Sequence, residues 1–295
     1  MTDPAALGFY QMVKARDDFT LGPINLELKG GFVYGLVGPN GSGKTTFLKS
    51  CVRLVQPSAG EIRIGGMPFD DKDERAKKQV AYVPAKLEGC ELFTLREMGN
   101  LIGVWYKGWR DEDFLRRGQL FRVPFDKPYG RLSEGEQKKA ALTLALSTNT
   151  PILLLDEPTN GLDMESRHRL RKMLIEDMEY HSLKTIVMAS HSAEDIRQFA
   201  DYILVMKAGQ LRGPFEKDNL LESWTRLWLE GDQLSARLPA KMKVPGVMAW
   251  SEETHPNLVT QDRQQTVSYL QAHGVKIIKE QSLPFEELLE LLTLE

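Results

Sequence analysis

A glycine-rich loop that joins a predicted buried strand to a predicted helix constrains the fold of this chain more than any other feature. The apolar run 32–37 leads into Gly-Pro-Asn-Gly-Ser-Gly-Lys-Thr at residues 38–45, and an apolar pattern with helical spacing follows. Glycines allow backbone N–H groups to turn inward around phosphate oxygens, and the helix aims the positive end of its dipole at the same place. A glycine turn with a stray lysine is the alternative, but the strand–loop–helix context favours phosphate binding.

Lysine and threonine at the end of this loop supply the charge and the hydroxyl group that nucleotide phosphates need. Lys44 would neutralise the β- and γ-phosphates, and the hydroxyl of Thr45 would bind Mg²⁺. We therefore predict that the loop holds a nucleoside triphosphate. Its predicted nucleotide-binding residues are Gly38, Pro39, Asn40, Gly41, Ser42, Gly43, Lys44, Thr45 and Thr46.

A second apolar run, 152–155, ends in two carboxylates, Asp156 and Glu157. If the run is a buried strand, both lie at its carboxyl end, where open α/β sheets bind ligands. We predict that Asp156 holds Mg²⁺ and that Glu157 orients the attacking water, because phosphoryl transfer depends mainly on positioning and charge neutralisation. The alternative is that the pair caps a helix before Pro158.

Three apolar runs separated by helical segments, 152–155, 185–189 and 202–205, are typical of buried parallel strands. Two runs near the amino terminus, 9–13 and 24–28, alternate apolar and polar residues and predict further strands. The predicted fold class is therefore α/β with a mainly parallel sheet core.

Two changes of pattern predict the domain organisation. Residues 93–129 become helical, with aromatic residues interleaved with charge, so we predict an inserted helical subdomain at about 90–150. After about residue 230 a weak strand, helix, strand, helix pattern follows. We predict a nucleotide-binding domain at 1–230 and a small accessory α+β domain at 231–295.

Composition narrows the choice of partners and compartment. The net charge is -3, so no basic field favours the wrapping of nucleic acid, and no nucleic-acid partner is expected. The longest apolar stretches, such as 151–155 and 202–206, are far shorter than the roughly 20 residues that cross a bilayer. Cys51 and Cys90 lack metal-ligand spacing and, without an evident secretory signal, suit a reducing cytosol.

Five short sequence motifs occur in a fixed order along the chain. They are the loop at 38–45, Leu132-Ser133-Glu134-Gly135, Asp156-Glu157, Gly161-Leu162-Asp163, and His191. In this order and approximate spacing, the chain resembles the ATP-binding subunits of ABC transporters over residues 9 to about 230. Within that family it is most similar to subunits that serve ABC-2 or exporter-type permeases of antibiotic-efflux systems, through residues 106–109 and the short carboxyl-terminal domain.

The resemblance implies a phosphate-loop NTPase fold of the ABC type, with antiparallel strands at the amino terminus. It implies an ATPase that uses ATP and Mg²⁺, with Lys44 in the catalytic group. Two ATPase subunits, as a homodimer or a heterodimer, would close around two ATP molecules and drive a separate integral-membrane permease. The protein would then be cytoplasmic and peripheral on the inner face of the cell membrane.

Further residue roles follow from the resemblance. Ser133 and Gly135 would face the γ-phosphate held by the opposite subunit, and Asp163 would contact across that interface. His191 would hold the γ-phosphate and Glu157 in register, so Glu157 and His191 are predicted to be catalytic.

The chain also departs from the family pattern. Ala85 replaces a glutamine that contacts Mg²⁺ and the permease, and Glu134 and Glu136 add negative charge to the signature segment. No aromatic residue stands where adenine is normally stacked. The guanidinium of Arg16 is the predicted adenine contact, and a shift of Phe19 into the site is the alternative.

Several alternatives remain at the level of sequence. A non-transport ABC clamp that acts on the ribosome or on nucleic acid is one rival, against which the single cassette and the balanced charge argue. A regulatory subunit with low turnover is another, favoured by Ala85 and the two signature glutamates. Trp105, Tyr106 and Trp109 either form a patch for a permease helix or pack in the core of the helical insert. The permease, rather than this chain, would select the cargo.

Overall fold

The chain divides into two units, Met1–Pro214 and Phe215–Glu295, in the computed structural model, which describes residues 6–16, 18–70, 74–230, 244–251 and 255–294. The first unit contains two sheets and a helical insert, and the second contains one sheet with its own helices. The predicted α/β class is confirmed, with its mainly parallel sheet and its amino-terminal antiparallel strands.

A six-stranded sheet forms the centre of the first unit. Its strands are β3 (Val33–Val37), β6 (Val80–Val83), β7 (Ile152–Asp156), β8 (Thr185–Ala189), β9 (Tyr202–Lys207) and β10 (Gln210–Glu216). The strand order is β10-β9-β3-β8-β7-β6, and the strands from β9 to β6 run parallel. Every residue of β3, β7 and β8 is buried, because both faces of the sheet are covered.

Alternate side chains of the central strands enter two different hydrophobic clusters. Leu153 and Leu155 of β7 join a cluster that includes the helical insert. Ile152 and Leu154 join a cluster that includes the amino-terminal strands. This two-sided burial explains why the sequence of β7 is continuously apolar rather than alternating.

The amino-terminal strands form a second, antiparallel sheet. They are β1 (Leu7–Arg16), β2 (Phe19–Leu28), β4 (Ala59–Ile64) and β5 (Met67–Pro68), in the order β2-β1-β4-β5. Phe9 of β1 packs against Phe47 of helix α1 (Lys44–Cys51), with ring centroids 4.9 Å apart. The antiparallel sheet is therefore packed on the helix that follows the glycine-rich loop.

The helical insert consists of α3 (Leu95–Gly103), α4 (Asp111–Leu120), a 3-10 turn (Tyr129–Arg131) and α5 (Glu134–Ser147). Phe114 is its aromatic centre, with ring centroids 5.0 Å from Trp109 and 5.4 Å from Phe125. Each of the two alternatives, core packing and exposure, therefore applies to different aromatic residues. Trp109 packs in the core of the insert and Tyr106 is half-buried, whereas Trp105 is 57% exposed.

The other helices of the first unit are α2 (Glu74–Lys77), α6 (Met164–Tyr180) and α7 (Ala193–Phe199). Helix α6 connects β7 to β8, and α7 connects β8 to β9, as crossovers between parallel strands require. Across the ranges that the structure describes, every helix is too short or too polar to span a membrane.

The second unit is built on a four-stranded antiparallel sheet. Its elements are α8 (Lys217–Ser223), β11 (Thr225–Leu229), β12 (Val247–Ser251), β13 (Asn257–Thr260), α9 (Arg263–Ala272), β14 (Ile277–Ser282) and α10 (Phe285–Leu294). The strand order is β12-β13-β11-β14. Leu227 and Leu258 from the sheet share a buried cluster with Leu270 of α9, so this unit has a hydrophobic core of its own.

The division between the units lies upstream of the boundary that the sequence predicts at residue 230. Strand β11 pairs with both β13 and β14, so residues 225–229 belong to the second sheet. Their partners lie about 30 to 60 positions further along the chain, a distance over which hydrophobic periodicity carries no information.

Candidate functional site

Three neighbouring strands bring the predicted catalytic residues to one edge of the central sheet. The glycine-rich loop follows β3, the carboxylates of Asp156 and Glu157 lie at the end of β7, and His191 follows β8. Strand β8 lies between β3 and β7, and all three run parallel. Their carboxyl ends therefore meet, which assembles one site from three distant parts of the sequence.

The glycine-rich loop is shaped to present N–H groups to an anion. Gly38 has a φ of 153°, and a β-carbon there would lie 2.0 Å from the carbonyl oxygen of Met206, so the position accepts only glycine. Gly43 is the N-cap of α1, and no side chain caps that helix. The hydroxyl of Ser42 is buried without a hydrogen-bond partner in the described part of the chain. A nucleotide phosphate fits these unsatisfied groups.

Lys44 lies folded over its own loop. Its Nζ donates hydrogen bonds to the carbonyl oxygens of Gly38, at 2.7 Å, and Pro39, at 3.2 Å. Burial lowers the pKa of Lys44, and the negative charges of Glu157 and Asp156 oppose that shift. The ammonium group is thus within electrostatic range of both carboxylates, as expected for one site.

Asp156 and Thr45 provide oxygen atoms of the kind that Mg²⁺ prefers. The Asp156 side chain is almost fully buried, and the Tyr82 hydroxyl donates to its Oδ2 at 3.3 Å. Burial and the charge of Asp156 raise the pKa of Tyr82, so the hydroxyl keeps its proton and remains a donor. Thr45 is exposed at the start of α1. Carboxylate and hydroxyl oxygens are hard ligands, so this pair fits the predicted metal.

Glu157 has a backbone conformation that non-glycine residues rarely adopt. Its φ is 48°, and its N–H donates to the carbonyl oxygen of Ala189 at 2.9 Å. Such a conformation costs about 1–3 kcal/mol and is found mainly at functional sites. One carboxylate oxygen, Oε2, lies 2.8 Å from Nδ1 of His191 and 3.4 Å from the backbone nitrogen of the same residue. Backbone strain and the histidine together orient the carboxylate.

The loop that carries His191 is fixed by Asp195, which the sequence analysis did not identify. Asp195 is almost fully buried, and its Oδ2 accepts hydrogen bonds from the hydroxyls of Thr159 and Ser190, the latter at 3.3 Å. Its N–H donates to the hydroxyl of Ser192, the N-cap of α7. The spacing of Ser192 and Asp195 is a helix-start signal that could have revealed this support.

Ser133 is the N-cap of helix α5. Its N–H donates to Oε2 of Glu136 at 2.8 Å, and the N–H of Glu136 donates back to the Ser133 hydroxyl at 3.3 Å. Glu136 thus completes a capping box, and its charge stabilises the helix start. A β-carbon at Gly135 would lie 2.6 Å from the carbonyl oxygen of Gly161, so glycine is needed where these two segments meet.

Asp163 and Glu134 also lie near helix starts. Asp163 is the N-cap of α6, and its carboxylate accepts hydrogen bonds from the N–H of Ser166 at 2.7 Å and from its hydroxyl at 3.1 Å. These bonds hold the pKa of Asp163 below its usual range, so the group stays ionised. Glu134 is exposed in the first turn of α5.

Lys138 follows the signature segment and reaches the end of β7. Its Nζ donates to the carbonyl oxygens of Ala85, at 2.7 Å, and Pro84, at 3.2 Å, and lies 3.5 Å from that of Asp156. Burial lowers its pKa, and the charges of Asp156 and Glu157 oppose the shift. Lys138 therefore links α5 to the end of β7 and to the backbone at Ala85.

The two candidates for the adenine contact differ in their surroundings. Arg16 is exposed at the end of β1. Phe19, which pairs with Arg16 in the hairpin, lies against the phosphate loop: a β-carbon at Gly43 would be 2.9 Å from its Cζ. The structure thus places the aromatic ring, rather than the guanidinium, in contact with this loop.

The comparisons with known proteins agree with this arrangement. Residues 21–160 match the ABC transporter family. The Nod factor export ATP-binding protein I of Burkholderia thailandensis is 31% identical over 74% of this chain and 73% of the relative. The petrobactin import ATP-binding protein FpuC of Bacillus anthracis is 31% identical over 66% of this chain and 75% of that protein.

Among solved structures, the dimeric structure of a bacterial ABC transporter cassette aligns with a TM-score of 0.63 and 24% identity, covering 71% of this chain and 98% of that one. This similarity shows that the chain shares the fold of that cassette. The family match at residues 21–160 includes the phosphate loop and both carboxylates, and the two sequence relatives are covered over about three quarters of their own length. The chain therefore belongs to the ABC transporter family, as one of its ATP-binding ATPase subunits.

Proposed function

We propose that this protein hydrolyses ATP as part of an exporter, in which two cassettes close around two Mg-ATP molecules and drive a separate membrane permease. The observation that carries the proposal is the 2.8 Å contact between Oε2 of Glu157 and Nδ1 of His191 at the strand edge that holds the phosphate loop. The export relative supports the direction of transport. The import relative has the same sequence identity to this chain as the export relative, so a transport assay is the test of direction.

In phosphoryl transfer, some site residues would position the reacting groups and others would neutralise charge. Glu157 accepts a hydrogen bond from the attacking water, and its strained backbone and His191 keep the carboxylate in one orientation. Lys44, which in this structure donates to its own loop, would turn its ammonium to the phosphates. Thr45 and Asp156 would hold Mg²⁺, which supplies charge neutralisation at the phosphates when bound.

Dimerisation would supply the remaining anion-binding groups. Ser133 is exposed at the amino terminus of α5, where open N–H groups and the helix dipole favour a negative charge. Gly135 and Asp163 lie on the two segments that meet at Gly161, so they would approach the partner together. The dimeric cassette among the structural neighbours supports this arrangement.

Replacing Glu157 by glutamine should separate nucleotide binding from hydrolysis. Glutamine keeps the size of the side chain but cannot accept the proton, so we expect the ATP turnover rate to fall at least about a hundredfold. Mg-ATP binding should persist, and an ATP-bound dimer should accumulate in sedimentation velocity. Glu165→Gln, an exposed change in the first turn of α6, is the matched control and should hydrolyse ATP at the normal rate. Equal turnover of Glu157→Gln and the wild type would refute the catalytic role.

We infer that Phe19 forms the wall against which adenine stacks, because its ring touches the phosphate loop. Phe19→Leu keeps most of the apolar volume and removes the π-face. The dissociation constant for ATP, measured by equilibrium binding, should rise about fivefold. Arg16→Ala should leave that constant unchanged. A larger effect of Arg16→Ala than of Phe19→Leu would favour the arginine that the sequence predicts.

The helical insert offers a surface for the permease. Leu101 and Trp105 are each more than half exposed and line a cavity of about 380 Å³ together with Lys78. The Lys78 ammonium lies 5.7 Å from the centroid of the Trp105 ring. Large exposed apolar side chains bordered by charge are typical of protein contact sites. This groove suits an amphipathic cytoplasmic helix of a membrane protein.

The double variant Leu101→Ser/Trp105→Ala should therefore weaken assembly without affecting the nucleotide site. We expect reduced co-purification with the membrane permease when the two proteins are co-expressed, and unchanged ATP turnover of the isolated subunit. Ile175→Ser, which alters an exposed residue on α6, is the control and should co-purify normally. Normal co-purification of the double variant would place the permease contact elsewhere.

A further inference from the structure

A second cavity, of about 390 Å³, lies where the helical insert meets the end of α6. Its walls come from the segment before α4, from α4 itself and from the residues around Asp177 and His181. The residues that line it include none from the phosphate loop or from the carboxylate pair that follows β7. It is therefore separate from the nucleotide site and has no role in the proposed function.

Arg117 and Asp177, which line the floor of this cavity, belong to an unbalanced group of buried charges that Lys184 completes from behind the lining. Asp177 accepts one hydrogen bond from Nη2 of Arg117 at 2.6 Å and another from Nζ of Lys184 at 2.7 Å. All three side chains are more than nine-tenths buried. Two cations thus share one carboxylate, which leaves an excess positive charge in a region of low dielectric constant.

Arg117 also has hydrogen-bond donors to spare. Its Nε and Nη1 are buried and have no hydrogen-bond partner among the residues described by the structure. Unsatisfied donors of a buried guanidinium are costly, and arginine is the residue that proteins use most often to bind oxyanions. Burial lowers the pKa of Lys184, and the charge and hydrogen bond of Asp177 oppose that shift.

The mouth of the cavity adds further positive charge. Arg116 lies 3.7 Å from a carboxylate oxygen of Asp113 and 3.6 Å from one of Glu176, so both acidic residues at the mouth already face a cation. Lys107 and Arg110 are exposed there and have no ionic partner within the described ranges. An approaching anion would therefore meet an attractive field from the entrance to the floor.

We propose that this cavity binds the phosphate group of a small phosphorylated compound, with Arg117 as its principal ligand. The unsatisfied donors of Arg117, the excess charge and the basic mouth favour an oxyanion, and the volume is large enough for an organic substituent beside the phosphate. Because α4 carries Arg117 and Asp177 lies on α6, the bound anion bridges the helical insert and the nucleotide-binding core. Occupancy would hold the insert in place.

The test uses the full chain with Lys44→Ala, so that phosphate binding at the nucleotide loop is weakened. Inorganic phosphate and glycerol 3-phosphate are titrated calorimetrically against this protein at constant ionic strength set with chloride. Adding Arg117→Met should raise the dissociation constants at least about tenfold, since a charge-assisted hydrogen bond is lost. Tighter binding of glycerol 3-phosphate than of phosphate identifies a phosphomonoester as the ligand, and equal affinities identify free phosphate.

Two further variants keep the test decisive if Arg117→Met folds poorly. Lys107→Gln/Arg110→Gln changes only exposed side chains at the mouth and should raise the dissociation constants about threefold. Arg122→Gln, which alters an exposed arginine paired with Glu165 at 3.5 Å, is the control and should leave them unchanged. Absence of binding at millimolar phosphate, or equal affinities in all cavity variants, would overturn the proposal.

Discussion

The parallel alignment of three adjacent strands is the constraint on which the nucleotide site depends. Because β3, β8 and β7 are neighbours and run in the same direction, the segments that follow them emerge at one edge. Lys44, His191 and Glu157 reach that edge from widely separated positions in the sequence. Burial of every residue in the three strands fixes their register, so the packing of the hydrophobic core sets the geometry of the site.

The nucleotide site also depends on an electrostatic balance between lysines and carboxylates. Two buried lysines, Lys44 and Lys138, face the two carboxylates of Asp156 and Glu157, and burial and Coulomb attraction act on each lysine in opposite directions. The charges of these two lysines and two carboxylates thus cancel by count. The negative charge of a nucleoside triphosphate must then be offset by Mg²⁺ and by groups other than these four side chains, such as the amino terminus of α5.

The parts of the site that the sequence predicts are those encoded locally. The phosphate loop and the carboxylate pair each depend on a few consecutive residues, and each follows a buried strand as the pattern indicates. The sequence does not reveal that Lys138 contacts the backbone at Ala85 or that Asp195 contacts Thr159, because these partners lie more than 30 residues away in the chain. The accessory sheet begins earlier than predicted for the same reason, since β11 is defined by strands that follow it.

ATP hydrolysis by the purified, isolated protein is the most direct test of the central claim. We expect Mg²⁺-dependent release of phosphate that Lys44→Ala abolishes, because the phosphate-loop lysine would neutralise the β- and γ-phosphates. Release of phosphate at the same low rate by the wild type and Lys44→Ala would contradict the account. That result would instead favour the low-turnover regulatory subunit suggested by the altered signature segment.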